Sequence, residues 1–208
     1  GVFAPQDLFL GKYRIERLLG RGGMGEVYLA HHEVLGEPYA LKVLPLIRAK
    51  IAQRRNMLLR EARASTKVKH PSIVKVVDAG ISDDDMVYLV MEYLGGWTPL
   101  SGRLGAPLPL VPCLAIAAQM TAGIAACHEV QVLHRDFKPD NVMVSPSHEV
   151  RLIDFGLAYF RDDKERVTLQ GRSSPRFGTM LYMAPEQVLG GDAMPASDVF
   201  ALGLVLFQ

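Results

Sequence analysis

The run His134-Arg135-Asp136-Phe137-Lys138-Pro139-Asp140-Asn141, followed closely by Asp154-Phe155-Gly156, constrains this chain more than any other feature. It places a carboxylate suited to act as a base two residues before an ammonium group, with two oxygen-donor side chains, Asn141 and Asp154, of the kind hard cations prefer. The spacer Val142 to Leu152 reads as a pair of short strands, a hairpin that brings Asp154 back beside Asn141.

Composition sets the frame for such a loop. At 208 residues the chain suits one large domain or two small lobes, and 49% hydrophobic with 22% charged residues fits a soluble globular class with ample core. A net charge of +1 supplies no whole-chain attraction to nucleic acid or to an anionic membrane, so neither is expected as a partner of this segment. The two cysteines, Cys113 and Cys127, lack CxxC spacing and lie in an apolar, helix-like run, which predicts buried, reduced thiols and a reducing, cytoplasmic compartment. Gly1 to Leu10 lacks the basic and apolar regions of a signal peptide. The run Val199 to Phe207 is about half of the ~20 residues needed to cross a bilayer and reads as a core helix.

The first ninety or so residues read mostly as strands: Tyr13 to Ile15, Glu26 to Leu29, Tyr39 to Val43, Val74 to Val77 and Met86 to Glu92. One amphipathic helix, about Ile51 to Val68, interrupts them. Gly95-Gly96 is the candidate hinge, Gly102 to Pro112 a loop, and Cys113 to Glu129 a strongly apolar helix of a second, mainly helical half.

Gly20-Arg21-Gly22-Gly23-Met24-Gly25 satisfies GxGxxG, which alone is weak. A dinucleotide fingerprint needs a helix next and a P-loop needs Gly-Lys-Ser/Thr, whereas Glu26 to Ala30 alternates like a strand. Strand, glycines, strand is a hairpin whose backbone can close over phosphates; a plain hairpin is the alternative. Lys42 has apolar neighbours on its strand, so burial would require an anionic partner. Glu61 is the candidate, and a snorkelling Lys42 with Glu61 paired to Arg60 or Lys67 is the bland alternative.

Six motifs, Gly20 to Gly25, Lys42, Glu61, His134 to Asn141, Asp154 to Gly156 and Ala184-Pro185-Glu186, stand in an order and spacing that resembles the bacterial eukaryotic-like (Hanks-type) serine/threonine protein kinases. The resemblance covers nearly the whole chain, and Leu19 to Tyr28 looks particularly like that group. It implies an α+β, bilobal protein-kinase fold: a five-stranded small lobe with one helix over residues 1–94, and an incomplete, mainly helical lobe over 95–208. The implied activity is transfer of the ATP γ-phosphoryl group to protein Ser/Thr hydroxyls.

By that resemblance Asp136 accepts or orients the proton of the attacking hydroxyl, Lys138 neutralises the transferring phosphoryl group, and Lys42, oriented by Glu61, holds nucleotide phosphates. Asn141 and Asp154 would bind Mg²⁺, with Mn²⁺ as a substitute, while Asp140 would bind no metal and His134 would pack structurally. Phe137 stands where leucine is more usual. Leu19, Gly20, Gly22, Gly25, Val27, Ala40, Met91, Glu92, Leu94 and Met143 would surround the nucleotide, with Met91 as gatekeeper and the backbone of Glu92 and Leu94 on the adenine edge. Arg135 would bind a phosphorylated residue of the activation segment, with Thr168 favoured over Ser173 and Ser174 as autophosphorylation sites. Thr179 would position substrate. Asp198 would accept backbone hydrogen bonds from the catalytic loop. Trp97 is expected at a half-exposed position. A homodimer for autophosphorylation is left open.

The sequence stops at Gln208 inside an apolar helix where such kinases continue, which predicts a fragment that is unstable or poorly active alone. The alternatives are a non-catalytic nucleotide-binding scaffold and a small-molecule kinase of related fold; the second usually lacks the Lys138 context and Ala184-Pro185-Glu186.

Overall fold

The computed structural model describes residues 1–22, 25–45, 66–84, 86–105, 108–154 and 180–208. Backbone contacts divide the chain into two compact units, Gly1–Thr66 with Val74–Gly95, and Lys67–Ile73 with Gly96–Gln208.

The first unit is built on an antiparallel sheet of six strands: β1 (Leu8–Phe9), β2 (Tyr13–Gly22), β3 (Gly25–His32), β4 (Pro38–Pro45), β5 (Val76–Ile81) and β6 (Met86–Glu92), in the order β1-β2-β3-β4-β6-β5. Five correspond to the expected strands, and the two-residue β1 is additional. The expected strand at Val74 begins instead at Val76, because Ile73 forms a bridge to Leu152 and the Ser72 carbonyl accepts the Leu152 N–H at 2.8 Å. Most of the expected helix Ile51 to Val68 lies outside the described residues.

Register sorts the side chains of this sheet onto two faces, since alternate residues of a strand point oppositely. Tyr28 pairs with Leu41 and Leu41 with Val90, and these side chains are buried with Ile15, Ala30 and Val43 in one cluster. Phe3, Leu10, Tyr39 and Tyr88 pack around its rim. Val27 pairs with Lys42, Lys42 with Leu89, Leu29 with Ala40 and Ala40 with Met91, so these residues share the opposite face. A slip of one residue would put Lys42 into the aromatic cluster, which the desolvation cost of an ammonium group forbids.

The second unit centres on helix α1 (Leu110–Glu129) and a three-stranded sheet of β7 (Thr98–Pro99), β8 (Val142–Val144) and β9 (Val150–Leu152), in that order. Two further helices, α2 (Pro185–Val188) and α3 (Pro195–Phe207), follow, each with proline in its first turn, where a missing N–H costs nothing. Helix α1 starts three residues earlier than expected and includes Pro112, tolerated for the same reason. Leu100–Arg103 is a short 3-10 turn that overlaps only the start of the predicted loop.

By length and composition α1 could cross a bilayer, a longer apolar run than the one at Val199. One stripe of it is packed. Ile116, Met120, Ile124 and Cys127 are buried, and a Cβ at Gly123 would lie 2.9 Å from Leu152 and 3.3 Å from Ser72. The Gln119 amide donates to His148 O at 2.8 Å and accepts from Val150 N at 3.0 Å, pinning the β8–β9 hairpin to the helix. Cys127 is buried as expected, but Cys113 is exposed, because it lies in the first turn of α1, before the buried stripe begins at Ile116.

Candidate functional site

In the second unit, Asp198 of α3 organises the loop that carries Asp136. Its side chain is 1% exposed, and its two oxygens accept the backbone N–H groups of His134 and Arg135, each at 2.8 Å. Nε2 of His128, at the end of α1, lies 2.9 Å from the same carboxylate. With both N–H groups held, Arg135 takes a left-handed backbone with φ of 65°, a strained state that needs such restraint. The chain then turns so that the Asp136 N–H donates to His134 O at 2.9 Å.

The His134 ring is fully buried and meets Phe137 edge-on, with centroids 5.4 Å apart. Burial holds its pKa below the ordinary value, against the opposite pull of Asp198, Asp136 and Asp154. A buried, neutral imidazole packed edge-on against Phe137 agrees with a structural role. Phe137, 2% exposed, supplies that packing in place of the more usual leucine.

The Asp136 carboxylate receives the Lys138 ammonium at 2.7 Å and the Asn141 amide N–H at 3.1 Å. The same amide donates to Asp136 O at 2.8 Å, which fixes Asn141 so that its oxygen is the atom it can offer a cation. The hairpin closes as the sequence predicts: the Ile153 N–H donates to the backbone carbonyl of Asn141 at 3.0 Å, one residue before Asp154, which holds φ of 60°. Asp140 is exposed and accepts from Ser101 at 3.1 Å, away from this group.

Asn141 and Asp154 offer hard oxygen ligands, and no cluster of three or more His, Cys, Asp or Glu side chains occurs among the described residues. Two protein oxygens suit an ion such as Mg²⁺ that keeps water and phosphate oxygens, and suit Zn²⁺ or an all-protein Ca²⁺ cage poorly. A small hollow beside Asp136, with room for about one water, is lined by Arg135, Tyr182, Met183, Gln187, Ser197 and Ala201. Gln187 donates to Arg135 O at 3.3 Å, and the Glu186 carboxylate accepts the Ser197 hydroxyl.

In the first unit, Lys42 is 3% exposed on the face it shares with Val27, Ala40 and Met91. Gly20 opposes Val27 and Gly22 opposes Gly25 at the end of the β2–β3 hairpin, where Gly25 has φ of 109°, a conformation suited to glycine. Leu19 is exposed on β2 beside Gly20. The Glu92 N–H donates to Lys75 O at 2.9 Å, and Leu94 follows in half-buried coil. Met143 of β8 and Trp97 are half-buried in the second unit, with the Arg151 guanidinium 5.1 Å over the Trp97 ring. Glu61, Phe155, Gly156, Thr168, Ser173, Ser174 and Thr179 lie outside the described residues.

Sequence reading missed the bond of His128 to Asp198 and the clamp made by Gln119. The only signal for the second was a lone amide inside an apolar helix.

Relatives point the same way as this geometry. The chain is 37% identical over 200 residues to the serine/threonine-protein kinase PrkC of Bacillus subtilis (strain 168), covering 95% of this chain and 30% of PrkC. It is 36% identical over 211 residues to the serine/threonine-protein kinase pkn2 of Myxococcus xanthus, covering 100% of this chain and 25% of that one. The chain thus spans about a quarter to a third of these curated relatives. The crystal structure of the Mycobacterium tuberculosis PknI kinase domain superposes with a TM-score of 0.74 at 31% identity, over 99% of this chain and 74% of that one. Finally, the family described as "Protein kinase domain" matches residues 13–208, and the chain belongs to it.

Proposed function

We propose that this chain is the catalytic domain of an ATP-dependent serine/threonine protein kinase. The observation that carries the reading is the Asp136 carboxylate held between the Lys138 ammonium at 2.7 Å and the Asn141 amide at 3.1 Å. Asp136 orients the substrate hydroxyl and accepts its proton, a contribution of roughly 10²–10⁴-fold. Lys138, now on Asp136, is near enough to follow the transferring charge. Asn141 and Asp154 hold Mg²⁺, or Mn²⁺ in its place, and the bound ion supplies neutralisation of phosphate oxygens.

In the small lobe, residues 1–94, Lys42 oriented by Glu61 holds nucleotide phosphates, and Gly20, Gly22 and Gly25 bring backbone close to them. Leu19, Val27, Ala40 and Met91 line the base from this lobe, and the large lobe is residues 95–208. Since the Glu92 N–H is engaged by Lys75, an adenine bond at Glu92 falls to its carbonyl; Leu94 provides the second bond. Arg135 receives a phosphate on Thr168, Ser173 or Ser174 after autophosphorylation, within a homodimer where that occurs in trans, and Thr179 positions substrate. The partners are proteins with Ser/Thr acceptors, in the cytoplasm.

Transfer from labelled ATP to a protein acceptor tests the reading, comparing wild type with Asp136→Asn and Lys42→Met. Loss of transfer in both variants supports it; equal incorporation by all three defeats it.

A further inference from the structure

The glycine-rich hairpin of the first unit is tied down by residues at the start of the chain. Pairing of β1 with β2 is extended by Gln6, whose N–H donates to Ile15 O at 2.7 Å, and by Asp7, whose carbonyl accepts the Ile15 N–H at 2.9 Å. A turn then reverses the chain: the Ala4 N–H donates to the Asp7 carboxylate at 2.8 Å, and the Asp7 N–H to Ala4 O at 3.2 Å. Gln6 holds φ of 74° within it. The reversal carries residues 1–3 across to β3.

There the Phe3 ring meets Phe9 at 5.1 Å and Tyr28 at 5.4 Å, while its N–H donates to the Tyr28 hydroxyl at 3.1 Å. The Val2 N–H donates to the Glu26 carboxylate at 2.7 Å. Glu26 also accepts the Tyr28 hydroxyl and, on its other oxygen, Arg21 Nε at 2.7 Å. Arg21 and Glu26 are cross-strand partners, one pair in from Gly22 and Gly25. One carboxylate therefore joins both strands of the hairpin end to the strap. Ordinary hairpin pairing requires none of this, since Arg21 and Glu26 could pair without Val2.

We propose that residues 1–7 form a strap whose Val2 N–H and Phe3 ring hold the glycine-rich hairpin through Glu26 and Tyr28, making Glu26 a positioning residue for the nucleotide. The nucleotide half of this inference rests on the kinase reading above; the mechanical half does not. A held hairpin has fewer conformations to lose when phosphates bind, so the strap raises affinity without touching the nucleotide.

Val2→Pro tests it with little disturbance, because proline removes that single N–H and leaves Glu26, Tyr28 and Phe3 in place. Amide hydrogen exchange is expected to rise in peptides spanning Gly20 to Tyr28 and to stay unchanged in β5 and β6. The KM for ATP should rise about three- to tenfold, the equivalent of one ordinary hydrogen bond at this exposed position, with kcat within about twofold. Glu26→Ala should reproduce both effects, and Glu26→Gln, which keeps an acceptor, should recover most of the affinity. Unchanged exchange in Val2→Pro overturns the strap. Raised exchange with an unchanged KM overturns its positioning role. If wild type neither binds ATP nor transfers phosphate, the kinase reading and the positioning role both fall, and exchange alone decides the mechanical half.

Discussion

The carboxylate of Asp198 receives the backbone N–H of His134 at 2.8 Å, fastening the loop that bears Asp136 to a helix more than sixty residues further along. Asp198→Ala would strip two N–H groups, those of His134 and Arg135, of their acceptor. At about 1–3 kcal/mol for each orphaned group, the loss is about 2–6 kcal/mol, a large share of the ~5–15 kcal/mol of a domain. Thermal denaturation should show a marked fall in Tm. Where enough protein folds to assay, phosphoryl transfer should fall in kcat more than in the KM for ATP.

Protonation of His134 predicts acid sensitivity. Its ordinary pKa of 6.5 applies in the unfolded chain, and burial holds the folded value lower. Above pH 6.5 neither state binds the proton, so the stability of the neutral packed ring is fully present. As pH falls through 6.5 toward the depressed folded value, the unfolded chain gains the proton first and stability drains away. Tm measured between pH 8 and pH 5 should decline, and His134→Phe should flatten that part of the slope.

The two thiols should behave oppositely. Cys113 is exposed, whereas burial, aided by Asp198, pushes Cys127 up to about 12. Iodoacetamide near pH 8 should alkylate Cys113 alone, with Cys127 reacting only after denaturation. A thiol raised in this way favours the fold below its unfolded pKa of 9.0, and that contribution is lost as pH climbs from there toward 12. Labelling of Cys127 in the native protein would contradict the packing of α1.

Two helix glycines should respond differently to alanine. At Gly203 in α3, a Cβ meets nothing within 4 Å, so Gly203→Ala should stabilise by up to about 1 kcal/mol through helix propensity. At Gly123 the added Cβ lies 2.9 Å from Leu152 and 3.3 Å from Ser72. Overpacking of about 1–3 kcal/mol there outweighs or cancels the same gain, so Gly123→Ala should be neutral to destabilising by about 2 kcal/mol. Paired urea denaturation curves would show it.

Much of this was legible before any coordinates. Asp136, Lys138, Asn141 and Asp154 stand close in sequence, and the hairpin between the last two has the alternation that closes it. Lys42 stood out because a charged residue on an apolar strand, if buried, demands an anionic partner. Other features depend on distant partners. The strand Leu8–Phe9 is too short to show a period, and its pairing with β2 depends on the turn between them. Helix α1 is apolar nearly all round, so its buried face could not be told from its exposed one, and nothing in the sequence marks that its packing begins at Ile116, one turn past Cys113. Pro112 looked like loop because its tolerance depends on where the helix begins. His128 and Asp198, seventy residues apart, carry no mark in sequence that joins them.

The reach of Asp198 also sets an order of events during synthesis. It follows the two N–H groups it receives by 64 and 63 residues. At ~5–20 residues per second, translation delivers the acceptor about 3–13 s after its donors. Through that interval the nascent loop has the composition of its final form without the clamp that imposes it. Slow codons just ahead of α3 would lengthen the wait, and a faster message would shorten it.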